Sequence, residues 1–111
     1  MGDEVTRTKY NNTKCTLDGY KFDSMKERDY YAGYLKPLLM AKEIADLEVH
    51  PRYEIKVGLQ KICMVELDFA FRDLKRCFRR YIDVKGVYLP ISKLKHKLLH
   101  ATQGIEVEIV R

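Results

Sequence analysis

Two runs near the middle of the chain fix what it can fold into. "ICMVELDFAF", Ile62 to Phe71, alternates, with Val65, Leu67, Phe69 and Phe71 on one side and Met64, Glu66, Asp68 and Ala70 on the other. "FRRYIDVKG", Phe78 to Gly86, again has period two and puts Tyr81, Asp83 and Lys85 on one face, because strand side chains alternate. The intervening "RDLKRC" reads as a turn. A long strand that turns back on a second one commits the chain to a sheet. It also sets an aspartate and a lysine, two residues apart, where they can work together.

The flanking segments supply the rest of the domain. Residues 1–13 are polar and aperiodic and are expected to form a mobile arm; residues 14–111 form the folded unit. Asp18-Gly19 between two short strand-like runs signals a hairpin. Ser24 followed by Glu27 has the form of a capping box, so a helix begins there, with Tyr30, Tyr31, Tyr34, Leu35, Leu38 and Leu39 at helical spacing. These tyrosines read as core packing. Pro37 should kink or restart the helix, having no N–H for its ladder. "EIADLEVHPRYEIKV" returns to period two, with Pro51 confining one piece to an edge or a bend. A second helix runs from Pro90 to about Thr102, with Leu94, Leu98 and Ala101 as its apolar stripe and Lys93, Lys97 and His100 on another. Gly104 stops it, and "IEVEIV" closes the chain as a strand. The fold class expected is α/β, a single domain with a mixed sheet flanked by helices.

At 111 residues, 46% of them hydrophobic, one core is possible and a second domain is not. Three cysteines, Cys15, Cys63 and Cys77, are odd in number and lack metal-like spacing, which points to a reducing compartment. No apolar run reaches the ~18 residues of a membrane span and the charged N-terminus lacks a signal-peptide core, so a soluble, cytoplasmic protein is expected. A net charge of +5 admits an acidic partner such as nucleic acid.

The order helix, strand meander, helix, strand resembles the core of restriction-endonuclease-like folds. Asp68 on one strand, then Asp83-x-Lys85 on the next, resembles the signature of the PD-(D/E)xK nuclease superfamily, with Leu67 where its proline would stand. "FDSMKERDYY", "EIADLEVHPRYEI", "ELDFAFRD" and "YIDVKG…KLKHKL…GIEV" together resemble a small family of phage and prophage nucleases, over roughly Lys14 to Val110. His50 departs from the glutamine expected there, and Leu89-Pro90 from a more polar pair. The resemblance implies a bacterial host cell, a metal-dependent endonuclease activity, and Glu27 as an additional acidic ligand.

Phosphodiester hydrolysis gives these residue types a reason. Mg2+ takes oxygen ligands and usually one or two carboxylates, leaving room for water and phosphate. Asp68 and Asp83 could supply the carboxylates, Val84 a backbone carbonyl, and Glu27 a further ligand, with Mn2+ able to substitute. Lys85 could orient the attacking water or hold the scissile phosphate. Each has a plainer alternative: Asp68 and Asp83 as solvent-facing acids, Glu27 as a helix cap, Lys85 as a surface lysine, and Glu66 as a cross-strand partner for an arginine. A zinc pair at His96 and His100 lacks further ligands.

Arg72, Lys75, Arg76, Arg79 and Arg80 crowd the hairpin turn and its return strand, and Lys93, Lys95 and Lys97 follow on the second helix. Positive charge beside an acidic pocket suits DNA, whose phosphates carry most non-specific affinity. The alternative is a solvated charged face. So short a chain has little surface beyond its catalytic core, so a homodimer is expected. Branched DNA in recombination or replication, as in a Holliday-junction resolvase, is the preferred substrate. The other readings are a nicking or restriction-like nuclease on linear duplex, and a non-catalytic DNA-binding protein.

Overall fold

The computed structural model describes residues 14–111, so the expected arm over residues 1–13 lies outside the described residues. Strands β1 (Cys15–Leu17) and β2 (Tyr20–Phe22) form the Asp18-Gly19 hairpin, with both turn residues at positive φ, 54° and 83°. That is the geometry a two-residue Asp-Gly turn favours. Ser24 then caps α1 (Met25–Tyr30), its hydroxyl accepting from the Glu27 N–H at 3.2 Å. Helical residues continue through a π-helical turn, Tyr31–Leu35, into α2 (Lys36–Met40). Pro37 sits in the first turn of α2, where its missing N–H costs least.

β3 (Ile44–Val49), β6 (Phe69–Asp73), β7 (Phe78–Val84) and β8 (Val107–Val110) make a sheet in the order β3-β6-β7-β8. β7 and β8 are parallel and the other pairs antiparallel, so the sheet is mixed. Among the described residues, β4 (Arg52–Val57) and β5 (Gln60–Glu66) pair only with each other. The chain is thus a single α/β domain.

The long run read as one strand is divided. β5 ends at Glu66 and β6 begins at Phe69, and opposite this break lie His50 and Pro51. Pairing passes through the corner, with the His50 N–H donating to the Asp68 carbonyl and the Leu67 N–H to the Pro51 carbonyl, each at 3.0 Å. Pro51 therefore marks a bend, and a left-handed His50, φ 58°, helps make it. The bend carries β4 and β5 off the sheet so that Ile55 and Val65 pack with Leu67, Leu99 and Ile105. On the other face Phe22, Tyr31, Leu35 and Ile44 pack against Phe69, Phe71 and Ile82. Both faces are covered, which is why Ala70, expected on a polar side, is fully buried.

α3 (Pro90–Gln103) occupies its expected span and ends at Gly104, φ 72°, whose N–H bonds the His100 carbonyl. Its buried side matches the expected stripe only at Leu98, which packs against the core. Leu94 and Ala101 are exposed, while Leu99 is fully buried and Ser92, Lys95 and His96 share its side. Leucines on several sides of a helix do not choose its rotation; the cluster around Ile105 and Ile55 does.

Arg80 is also corrected. Expected on DNA, it is buried beneath the sheet, making a two-pronged pair with Glu108 at 2.7 and 2.8 Å and reaching Tyr34 Oη at 3.1 Å and Asp73 at 3.4 Å. Tyr34 and Glu108 come from distant segments and Asp73 from across the β6–β7 hairpin, so no local pattern reveals the set. Arg80→Ala would leave Glu108 without its guanidinium partner and Asp73 with Arg76 alone. A loss of about 3 kcal/mol is expected, which lowers the thermal midpoint by about 10 °C for a domain of this size. A midpoint within a few degrees of wild type would refute that role.

Candidate active site

The acids converge where the bent strands meet the end of β7. Asp68 lies just beyond the corner, next to the Phe69–Ile82 pair of the β6–β7 ladder, and its backbone N–H bonds the Ile82 carbonyl at 3.1 Å. Asp83 is the neighbouring residue on β7 and is almost wholly buried. Asp68 Oδ2 accepts the Val84 N–H at 2.6 Å, and the Asp83 carboxyl is close enough to bear on its ionisation. Asp68 is therefore held by β7 through Oδ2 before any ligand arrives.

Lys85, one residue past β7, has its Nζ 3.3 Å from Asp83 Oδ2. This is the pair that the i and i+2 alternation predicts. His96 Nε2 lies 3.0 Å from the same oxygen, and its Nδ1 lies 2.7 Å from the Tyr88 hydroxyl. With Tyr88 donating to Nδ1 and Nε2–H donating to Asp83, one neutral tautomer satisfies all three groups. Asp83 is thus held on Oδ2 from two sides.

Glu27 enters from α1 and is buried. The reciprocal half of a capping box, Ser24 N–H to the Glu27 carboxylate, is not made among the described residues; Oε1 lies instead 3.0 Å from His50 Nε2. Glu27, His50 and Asp68 each offer a ligand atom, all within 4.8 Å of one another. Asp23 is 3.7 Å from His50 on the outer side.

The electrostatics follow from this crowding. Burial, the Asp83 charge and then the Glu27 charge push the Asp68 carboxyl up to about 9. For Asp83 burial also opposes ionisation, but hydrogen bonds with His96 and Asp68 and the Lys85 charge outweigh it and hold the group below the usual carboxylate range. Glu27 is raised, mainly by burial, against the favourable bond to His50. Adjacent carboxyls pushed in opposite directions mark a pair that holds its negative charge unevenly.

Beside Asp83 and Lys85 opens a cleft of about 410 Å3 lined also by Arg52, Ser92, Lys95 and His96. A second of about 400 Å3 lies on the far side of His96, with Lys93, Lys97, Tyr88 and His100. The expected cations Lys93 and Lys97 therefore lie across His96 from Asp83, in a separate cleft. Arg72, Lys75, Arg76 and Arg79 cluster towards the β6–β7 turn, paired with Asp46, Glu43, Asp73 and Glu48 at 2.9, 3.3, 3.8 and 2.8 Å. Arg79 and Asp83 are four strand residues apart, about 13 Å along β7. Glu66 pairs with Arg52 across β4 and β5 at 3.1 Å, the cross-strand arrangement expected of it.

Sequence reasoning missed His50 and His96 as members of the site. Along α3 the histidine at helical spacing from His96 is His100, which is exposed and lines the cleft on the side away from Asp83. A signal for His50 existed: it precedes a proline inside an alternating run, where a bend re-aims side chains.

Residues 7–109 match the family model described as "Protein of unknown function (DUF1064)". No curated protein and no solved structure matches the chain.

Proposed function

The chain belongs to the DUF1064 family, and we propose that it is a divalent-metal-dependent DNA endonuclease of the PD-(D/E)xK, restriction-endonuclease-like kind. One observation carries this reading: Asp68, Asp83 and Lys85 meet at the end of two paired strands with Glu27 behind them. Among the described residues no arginine pairs with these three carboxylates, and Lys85 is the one lysine that does. A structural salt-bridge network would balance its charges more fully. Burial first, and then the charges of Asp83 and Glu27, push Asp68 up to about 9, so it sits among carboxylates without a matching set of cations.

The donor set fits a hard divalent cation. Three carboxylates and a strand carbonyl are oxygen donors of the sort Mg2+ and Mn2+ accept, so Asp68, Asp83, Glu27 and the Val84 carbonyl would hold the ion. When bound, it would supply Lewis-acid activation of water and offset charge on the phosphoryl oxygens. Lys85 is the cation nearest the carboxylates, placed to orient the attacking water or balance charge on the scissile phosphate. Arg52, Lys95 and the Ser92 hydroxyl, in the same cleft, bind the flanking phosphates. His96, steadied by Tyr88, keeps Asp83 from rotating. No described helix is long and apolar enough to cross a membrane.

A homodimer, which would set one such site against each strand of a duplex, belongs to this reading, with branched DNA as the preferred substrate. Supercoiled plasmid, linear duplex and a four-way junction should each be incubated with Mg2+, Mn2+ or EDTA. Metal-dependent cleavage with paired cuts on the junction is the expected outcome. DNA binding with no cleavage in any metal would favour a non-catalytic DNA-binding protein.

A further inference from the structure

We propose that His50 is itself a ligand of this centre and makes it prefer Mn2+ over Mg2+; the inference rests on the metal-dependent reading above. His50 comes from a different segment than any of the acids and reaches them through the corner between β3 and β4. Its Nε2 lies 3.0 Å from Glu27 Oε1, and with Asp68 the three ligand atoms lie within 4.8 Å of one another. Adjacent ligands around an ion bound at about 2.1 Å are roughly 3 Å apart, and opposite ones about 4.2 Å. The His50–Glu27 pair already has the spacing of adjacent ligands, and the three side chains are close enough to share one ion with a small adjustment.

The ring is also held in place. The His50 N–H is tied to the carbonyl of Asp68, the residue whose carboxyl it would share an ion with, at 3.0 Å. Pro51 fixes the next φ, and most of the imidazole is covered. A shift at the corner would thus move both ligands together.

The chemical consequence is a change of ion. Mg2+ binds oxygen almost exclusively, whereas imidazole nitrogen suits first-row transition metals, and Mn2+ is among those that also suit a carboxylate-rich, six-coordinate shell. One imidazole among two or three carboxylates is a mixed set that Mn2+ satisfies and Mg2+ does not. A rival role exists on the same geometry: His50 as a counter-charge for Glu27 and Asp23. That role affects both ions alike, so the two can be separated.

Calorimetry with Mn2+ and Mg2+ alone should find Mn2+ at least about tenfold tighter in the wild type. Electron spin-echo envelope modulation of bound Mn2+ should show coupling to 14N. In His50→Gln, which offers an oxygen in place of nitrogen, the 14N coupling should vanish and the preference collapse towards one. His50→Asn tolerates the left-handed backbone and serves as the second variant should Gln not fold. His96→Gln should keep the coupling. Coupling absent from the wild type, or both affinities changed by the same factor in the His50 variants, would overturn the ligand role and leave the nuclease reading standing. No binding of either ion by the wild type would overturn both.

Discussion

Asp83→Asn should lose metal-dependent cleavage by a factor of about 10²–10³, the scale on which removing one preorganised stabilising group acts. Asparagine keeps the shape and can still accept from His96, so the site should remain assembled while its ligand charge is gone. Metal affinity by calorimetry should fall with it. DNA binding should stay at least as tight, since a negative charge facing phosphate has been removed. Lys85→Ala should give a different pattern, retaining the ion and losing cleavage. Its side chain is a quarter exposed and reaches Asp83 from beyond the strand end, so its loss leaves no closed cavity. If Asp83 and Lys85 are only a salt bridge, both variants should be less stable and cleavage merely reduced. Wild-type cutting by Asp83→Asn and Lys85→Ala together would end the nuclease reading.

Which parts of this arrangement could be read in advance depended on range. The Asp18-Gly19 hairpin, the Ser24 cap, the β6–β7 hairpin and the Gly104 stop depend on neighbours a few residues away, and each stands where the sequence puts it. Asp83 and Lys85 were legible for the same reason. Periodicity does not report where a pleated run bends, so Ile62 to Phe71 looked like one strand although Leu67 and Asp68 turn the corner. Without that corner His50 has no visible relation to Asp68, and Glu27 looks like a cap. The burial of Arg80 and the rotation of α3 are long-range as well. The charge of Arg80 is consumed by Tyr34, Asp73 and Glu108. The buried side of α3 is fixed by Leu99 against Ile55 and Ile105, which turns His96 onto Asp83. Composition could identify a basic surface; only the fold separates the cations beside the cleft from those neutralised at the β6–β7 turn.

The same geometry makes the two aspartates unequal, with a large and testable effect on stability. Asp68 titrates at about 9 in the fold against an ordinary value of 3.8, because burial and the charges of Asp83 and Glu27 favour its protonated form. The folded chain then holds a proton that the unfolded chain releases above about pH 4. Stability is fully present below that pH and is lost progressively as pH rises towards 9. Asp68→Asn should remove this loss: the amide oxygen can still accept the Val84 N–H, and its NH2 can donate to a neighbouring carboxylate. Each unit is worth about 1.4 kcal/mol, but local rearrangement and water entry reduce the full span to about 2 kcal/mol. The metal-free thermal midpoint of Asp68→Asn should therefore exceed wild type by about 5–10 °C at pH 8, with the gap closing near pH 4. Asp83→Asn should show no such gain, since Asp83 is held below the usual range by His96 and Lys85. Added Mn2+ should reverse the order at pH 8 by stabilising the wild type and not Asp68→Asn. A midpoint for Asp68→Asn below wild type at every pH would mean that the carboxyl is a structural brace between the corner and β7, and that the excess charge inferred at this site is not there.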